Sequence, residues 1–261
     1  MPAVIAPRTH RPAVTEPDGR PERAARAIGI QFNDPDLLQL ALTHRSYLNE
    51  QELDQVALSL LSNERLEFLG DSLVGMITAE FLFRHFPSEP EGPLTAYRTS
   101  LVRTETLAGW ARRFQLDECL YLGRGEMIDD EPISDRILAG AFEAVVAAIY
   151  LDRGIRRTRA FLNRLLRRDA EAIISLGRRT NYKGRLQELA QDRLHITPAY
   201  KTTGAQGPAH DRIFTVAVFL GDDALATGTG SSKRAAQQDA AQQALAALAR
   251  QGVVERGNGA R

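Results

Sequence analysis

Residues 137–151 read ILAGAFEAVVAAIYL and contain one ionisable side chain, Glu143. A helix that is apolar all round has to be covered all round, so this segment sets the plan of the chain: a central helix with other helices packed about it. The run is shorter than the roughly 18 residues a bilayer-spanning helix needs, and no longer apolar run exists, so no membrane partner is expected. Glu143 poses a problem inside such a helix. A buried carboxylate without a partner costs several kcal/mol or is forced to protonate. Either an arginine or a shared metal ion would relieve it.

The rest of the first 180 residues supplies the covering helices. Asp34 and Pro35 suit a cap and first turn before a helix over 36–46. Residues 63–86 form a long apolar-rich segment closed by Pro87, residues 95–114 follow the loop SEPEGP, and residues 153–176 read as a strongly basic helix. The stretch 177–182 is polar and reads as a linker. Beyond it the period changes from helical to alternating: a helix over 183–193, strands at 199–203, 213–220 and 224–228, and an Ala/Gln-rich helix over 232–249. The expected fold is an all-α domain followed by a small α+β unit of order α-β-β-β-α. The expected boundaries are a disordered tail at 1–24, a first domain at 25–176, the linker, a second domain at 183–250 and a tail at 251–261.

The 33 basic and 33 acidic side chains cancel, which seems to argue against a nucleic-acid partner. The charges are not mixed, however. Residues 25–152 carry 10 basic and 21 acidic side chains, net −11; residues 153–179 carry 9 and 2, net +7; residues 180–261 carry 10 and 7, net +3. An acidic block followed by a basic one fits a cation site and a polyanion partner on one chain, although a mosaic of solvated surfaces would look the same. The lone Cys119 cannot form an internal disulfide, and Pro and Arg interrupt any apolar core in the first 23 residues. A reducing, cytoplasmic location is expected.

Glu64, Glu67 and Asp71 stand at i, i+3 and i+7, on one helical face. Like charges at that spacing repel by a few tenths of a kcal/mol per pair. Convergent hard oxygens suit Mg²⁺. The plainer alternative is that Glu64 and Asp71 are solvated and Glu143 meets an arginine.

The segment NERLEFLGDSL at 63–73 closely resembles the signature of the ribonuclease III family. ALTHRSY at 41–47, LVR at 101–103 with LA at 107–108, and ILAGAFEA at 137–144 with YLD at 150–152 resemble further stretches of that family, in the same order. Residues 181–250 resemble a double-stranded RNA-binding domain, through YK at 182–183, LQE at 186–188, PAY at 198–200, GPAH at 207–210, FTV at 214–216, GTGSSKR at 228–234 and AA at 240–241.

The resemblance implies an all-α endonuclease domain of the ribonuclease III fold ahead of the RNA-binding unit. It implies hydrolysis of duplex RNA with Mg²⁺, Mn²⁺ substituting, to 5′-phosphate and 3′-hydroxyl ends with short 3′ overhangs, in the processing of ribosomal RNA precursors and other structured transcripts. Glu67, Asp71 and Glu143 are then the catalytic, metal-binding acids, with Glu143 a direct ligand. Glu64 and Glu91 match acids that position RNA or a second metal. Phe68 matches an aromatic that enters a socket on a partner subunit, implying a homodimer; read as a residue alone, it would be core. In the RNA-binding unit, Gln187, Glu188 and Gln191 match minor-groove contacts, His210 the loop that reaches the next minor groove, and Lys233 and Arg234 phosphate contacts.

Two departures stand out. Gly140 replaces an Asp usual in the family three residues before the glutamate, and residues 235–237 read AAQ where a third basic residue is common. The first keeps open a second reading, a dsRNA-binding scaffold or chaperone with an impaired metal site. The arginine-rich helix over 153–168 suits either docking on acidic surface of the first domain or extending the RNA track.

Overall fold

A computed structural model describes residues 19–49, 53–126, 132–208 and 212–253, the side chains of 178–180 excepted. They fall into two compact units that meet in sequence between Ile173 and Ile174.

The first unit is helical. It comprises α1 (Arg20–Ile28), α2 (Pro35–Leu42), α3 (Arg45–Leu48), α4 (Gln55–Leu61), α5 (Glu64–His85), α6 (Glu91–Leu101), α7 (Thr104–Arg113), a short 3₁₀ turn (Arg124–Glu126) and α8 (Asp135–Thr180). As the apolar run requires, the start of α8 is the centre of the unit: Leu138, Phe142, Val145, Val146 and Ile149 are fully buried. The Phe142 ring contacts those of Trp110 and Phe161. Gly154, at φ 74° and ψ 170°, interrupts the helical course of α8 where a side chain would be strained. The interruption matches the expected change of helix near 152. Just before it, the Asp152 carboxylate accepts the backbone N–H groups of Asn33 (2.8 Å) and Asp34 (2.9 Å). No helix of the described residues is long and apolar enough to cross a membrane.

Contact between α5 and α8 depends on a glycine. A Cβ on Gly70 would run into the backbone carbonyl of Glu143. Only glycine lets the two backbones approach so closely at that point.

Some expected boundaries move. Residues 20–24, read as tail, belong to α1: Pro21 sits in the first turn, where its missing N–H costs nothing, and Pro21, Ala24 and Ile28 are buried. The stretch 177–182, read as linker, is helical through Thr180, and Asn181 accepts the Gly184 N–H to start the next helix. Arg is a good helix former, so polarity there does not end a helix. The single helix expected over 95–114 is two, α6 and α7. The Thr106 hydroxyl donates to the Ser100 carbonyl (2.9 Å) across the break.

The second unit comprises α9 (Tyr182–Leu194), β1 (Ala199–Gln206), β2 (Ile213–Leu220), β3 (Asp223–Gly230) and α10 (Lys233–Arg250), the expected α-β-β-β-α order. The sheet is antiparallel in the order β1-β2-β3. Leu186 and Leu189 of α9, Val218 of β2, and Ala240, Ala241, Ala244 and Leu248 of α10 form its core. Small residues bring α10 close to β3. A Cβ on Gly230 would stand 2.6 Å from the Ala236 nitrogen, and one on Gly228 would strike the backbone of Ala240.

Candidate active site

The cleft is built where the start of α5 meets the α2–α3 corner and α8. Asn63, only 2% exposed, donates its backbone N–H to Thr43 O (2.8 Å) and its amide to Ala41 O (3.4 Å). This fixes the first turn of α5 beneath His44 and Arg45. A cleft of about 710 Å³ results, lined by His44, Glu64, Glu67, Asp71, Arg136 and Glu143 among others. Two helical spacings meet across it. Residues 64, 67 and 71 share a face of α5, and residues 136, 140 and 143 share a face of α8.

The three acids nearest α8 oppose one another. The carboxyl of Glu143 is pushed up to about 7, first by burial and then by the charges of Asp71 and Glu67. Burial also raises Glu67; Arg136 pulls it back down, and Glu64 and Asp71 push it up. Glu64 behaves differently because Arg45 donates to its carboxylate at 2.9 Å and to Gln55 at 2.9 Å. Burial lowers the pKa of His44, which favours the neutral ring. The Ser46 hydroxyl accepts the Gly123 N–H (3.0 Å), so its own proton goes to His44 Nδ1 (2.8 Å). That leaves the ring proton on Nε2, a hydrogen-bond donor. Among the described residues no three His, Cys, Asp or Glu side chains already stand close enough to enclose an ion. The donor set is nonetheless all oxygen and charge-crowded, which suits a hard cation that keeps several waters.

Residues 34–169 match the family described as Ribonuclease-III-like, and residues 182–248 match the double-stranded RNA binding motif. The chain is 44% identical over 227 residues to Ribonuclease 3 of Roseiflexus sp., a match covering 87% of this chain and 94% of the relative. It is 43% identical over 219 residues to Ribonuclease 3 of Dehalococcoides mccartyi, covering 84% of this chain and 91% of the relative. The chain belongs to the ribonuclease III family. Among solved structures, the nuclease domain of ribonuclease III from Campylobacter jejuni is similar at 30% identity and a TM-score of 0.50, covering 56% of this chain and 96% of that one.

Against that family, the candidate residues divide. Glu64, Glu67, Asp71 and Glu143 line the one cleft. Glu91 does not: it opens α6, where its carboxylate accepts from the Thr95 hydroxyl (3.0 Å). Phe68 is not core, as an isolated phenylalanine would suggest, but 79% exposed at the rim of the cleft. Glu143 faces two acids rather than an arginine. Sequence reasoning assigned no role to His44, Glu126 or Arg136, which also line the cleft. Arg136 had a signal, since it stands seven residues before Glu143 on the same helical face.

In the RNA-binding unit, Gln187, Glu188 and Gln191 are exposed on α9, and Lys233 and Arg234 are exposed at the start of α10. Ser232 caps that helix by accepting the Ala235 N–H (3.1 Å). His210 lies outside the described residues. The absence of a third cation has a local reason. Ala236 is fully buried beneath Gly230, and Gln237 accepts a 2.6 Å hydrogen bond from Lys183 Nζ. Lys183 also stands 4.6 Å from the Tyr200 ring centroid, so it ties the unit together internally.

Proposed function

We propose that this chain is a Mg²⁺-dependent, double-strand-specific endoribonuclease that works as a homodimer in the cytoplasm. It cuts ribosomal RNA precursors and other structured transcripts to 5′-phosphate and 3′-hydroxyl ends with short 3′ overhangs. One observation carries the reading: a buried glutamate, Glu143, with its pKa driven to about 7 by burial and by Asp71 and Glu67, in a chain that also holds a double-stranded RNA-binding motif. Glu143, Glu67 and Asp71 are the residues that would hold the ion, with Mn²⁺ able to substitute. When bound there, Mg²⁺ supplies a water of lowered pKa and neutralises charge developing at the phosphodiester.

The protein's own groups do the remaining work. Glu64, held by Arg45, and Glu91 are assigned to positioning RNA or a second ion. Gln187, Glu188, Gln191 and His210 meet 2′-hydroxyls and base edges in the minor groove, and Lys233 and Arg234 meet phosphates. The homodimer is supported by one face of α5. Phe68, Met76 and Phe83 share it and are 79%, 48% and 73% exposed, an apolar stripe that water does not favour. The Campylobacter jejuni structure is described as concerning a region involved in dimer formation of the nuclease domain.

Gly140 favours a second reading, a dsRNA-binding scaffold or chaperone with an impaired metal site, because it contributes no carboxylate to the cleft. Incubation with a long RNA duplex in Mg²⁺, repeated in Ca²⁺ and with Glu143→Gln, separates the two. Cleavage by the wild type in Mg²⁺, with intact binding but no cleavage by the variant, is expected. Binding without cleavage by the wild type would favour the scaffold, and undiminished cleavage by the variant would remove Glu143 from the site.

A further inference from the structure

Gly140 lies in a buried, regular turn of α8, at a position where glycine costs helix stability and no positive φ asks for it. Its reason lies across the cleft. A Cβ on Gly140 would stand 2.7 Å from Glu67 Oε2, 2.8 Å from Glu67 Cδ and 3.2 Å from Glu67 Oε1. All three nearest atoms belong to one carboxyl group. The helix pair is thus reciprocal. On α5, Glu67 precedes Gly70 by three residues; on α8, Gly140 precedes Glu143 by three. Gly70 admits the backbone of Glu143, and Gly140 admits the side chain of Glu67.

We propose that Gly140 is a positioning residue for Glu67: its bare Cα is the seat on which the Glu67 carboxylate lies, so that side chains at 140 and 67 compete for one space. The missing carboxylate at 140 is therefore not an empty corner of the cleft. Glu67 fills it, between Arg136 one turn earlier on α8 and Glu143 one turn later. Adding an acid at 140 displaces an acid instead of adding one. The carboxylates can be exchanged between the two helices but not accumulated.

The inference rests on the reading that the cleft holds a divalent cation, and two readouts keep the two separable. The first needs no metal. In the full-length, metal-free protein, nuclear Overhauser contacts are expected between the Glu67 side-chain methylene protons and the Gly140 Hα protons; their absence overturns the seat.

The second is Mn²⁺ affinity, by calorimetry or electron paramagnetic resonance. Gly140→Ala is expected to keep or raise the thermal midpoint, since Ala is the better helix former, while weakening Mn²⁺ binding about tenfold, the scale seen when a group that orients a metal ligand is lost. In a Glu67→Ala background the same substitution is expected to add almost nothing, because the two act as one unit. Gly140→Asp alone is expected not to tighten binding, whereas Gly140→Asp combined with Glu67→Ala recovers much of what Glu67→Ala loses. Tighter binding by Gly140→Asp alone, unchanged affinity in Gly140→Ala, or an equal loss with and without Glu67 overturns the proposal. Wild-type protein that binds no Mn²⁺ while keeping the Glu67 to Gly140 contacts removes the cation reading and leaves the seat standing.

Discussion

The acid cleft of the helical unit and the polar surface of the RNA-binding unit hold their functional groups in opposite ways. In the cleft, carboxylates are pressed together, partly out of water, until Glu143 titrates near 7. On α9 and α10, Gln187, Gln191, Lys233 and Arg234 stand in solvent, at little cost to folding. Crowded acids store electrostatic free energy that a cation can release. Exposed groups store none and act through their number and spacing. Loss of one cleft acid is therefore expected to be close to all-or-none, and loss of one surface contact to be graded.

The largest break in that contrast is Glu143→Gln. It is expected to lower duplex cleavage by about thousandfold or more, roughly 4 kcal/mol of transition-state stabilisation, with RNA affinity unchanged in a gel-shift titration. Gly70→Ala is expected next, at about 3 kcal/mol of folding stability in a denaturant melt, because the new methyl meets the Glu143 backbone, which cannot move aside cheaply. Phe68→Ala is expected to weaken self-association by about 2 kcal/mol, near thirtyfold, in sedimentation equilibrium. Retention of wild-type self-association by Phe68→Ala would take Phe68 out of the dimer contact.

A smaller effect concerns pH. Glu143 titrates near 7 in the folded chain and near 4.5 in the unfolded one, so the folded state binds the extra proton between those values. Stability of the metal-free protein therefore falls as pH rises from 4.5 to 7 and stays reduced above. Because Glu143 is partly reached by solvent, the loss is on the order of 1 kcal/mol. Thermal midpoints in chelator across that range should slope downward, and Glu143→Gln should flatten the slope. The smallest effect belongs to the exposed side. Lys233→Ala is expected to weaken duplex binding uniformly across sequences by under about 1 kcal/mol and to reduce the salt slope by about 1.

Periodicity alone revealed much of this. An apolar run around one acid required a buried helix, and α8 is that helix. The i, i+3, i+7 acids had to share a face, and they line one cleft. What stayed hidden depends on neighbours far away in sequence. Helix α4 gives no clean stripe, because Val56 and Leu60 are exposed and only Leu58 is buried. The division of α6 from α7 has no Gly or Pro to mark it. The reasons for Gly70 and Gly140 lie on each other's helices, where no local pattern can show them. Arg136 was overlooked for a related reason: one cation among acids reads as surface until the fold turns it toward Glu67.

The chain has a single tryptophan, Trp110. Its indole N–H donates to Asp169 (2.8 Å), and its ring stands 5.6 Å from that of Phe142, the residue beside Glu143. Intrinsic fluorescence excited at the indole band therefore reports on the helical unit alone, from the layer directly behind the cleft, while the RNA-binding unit is optically silent. A cation drawing the acids together, or an unfolding step confined to one unit, can be followed by emission without attaching any label.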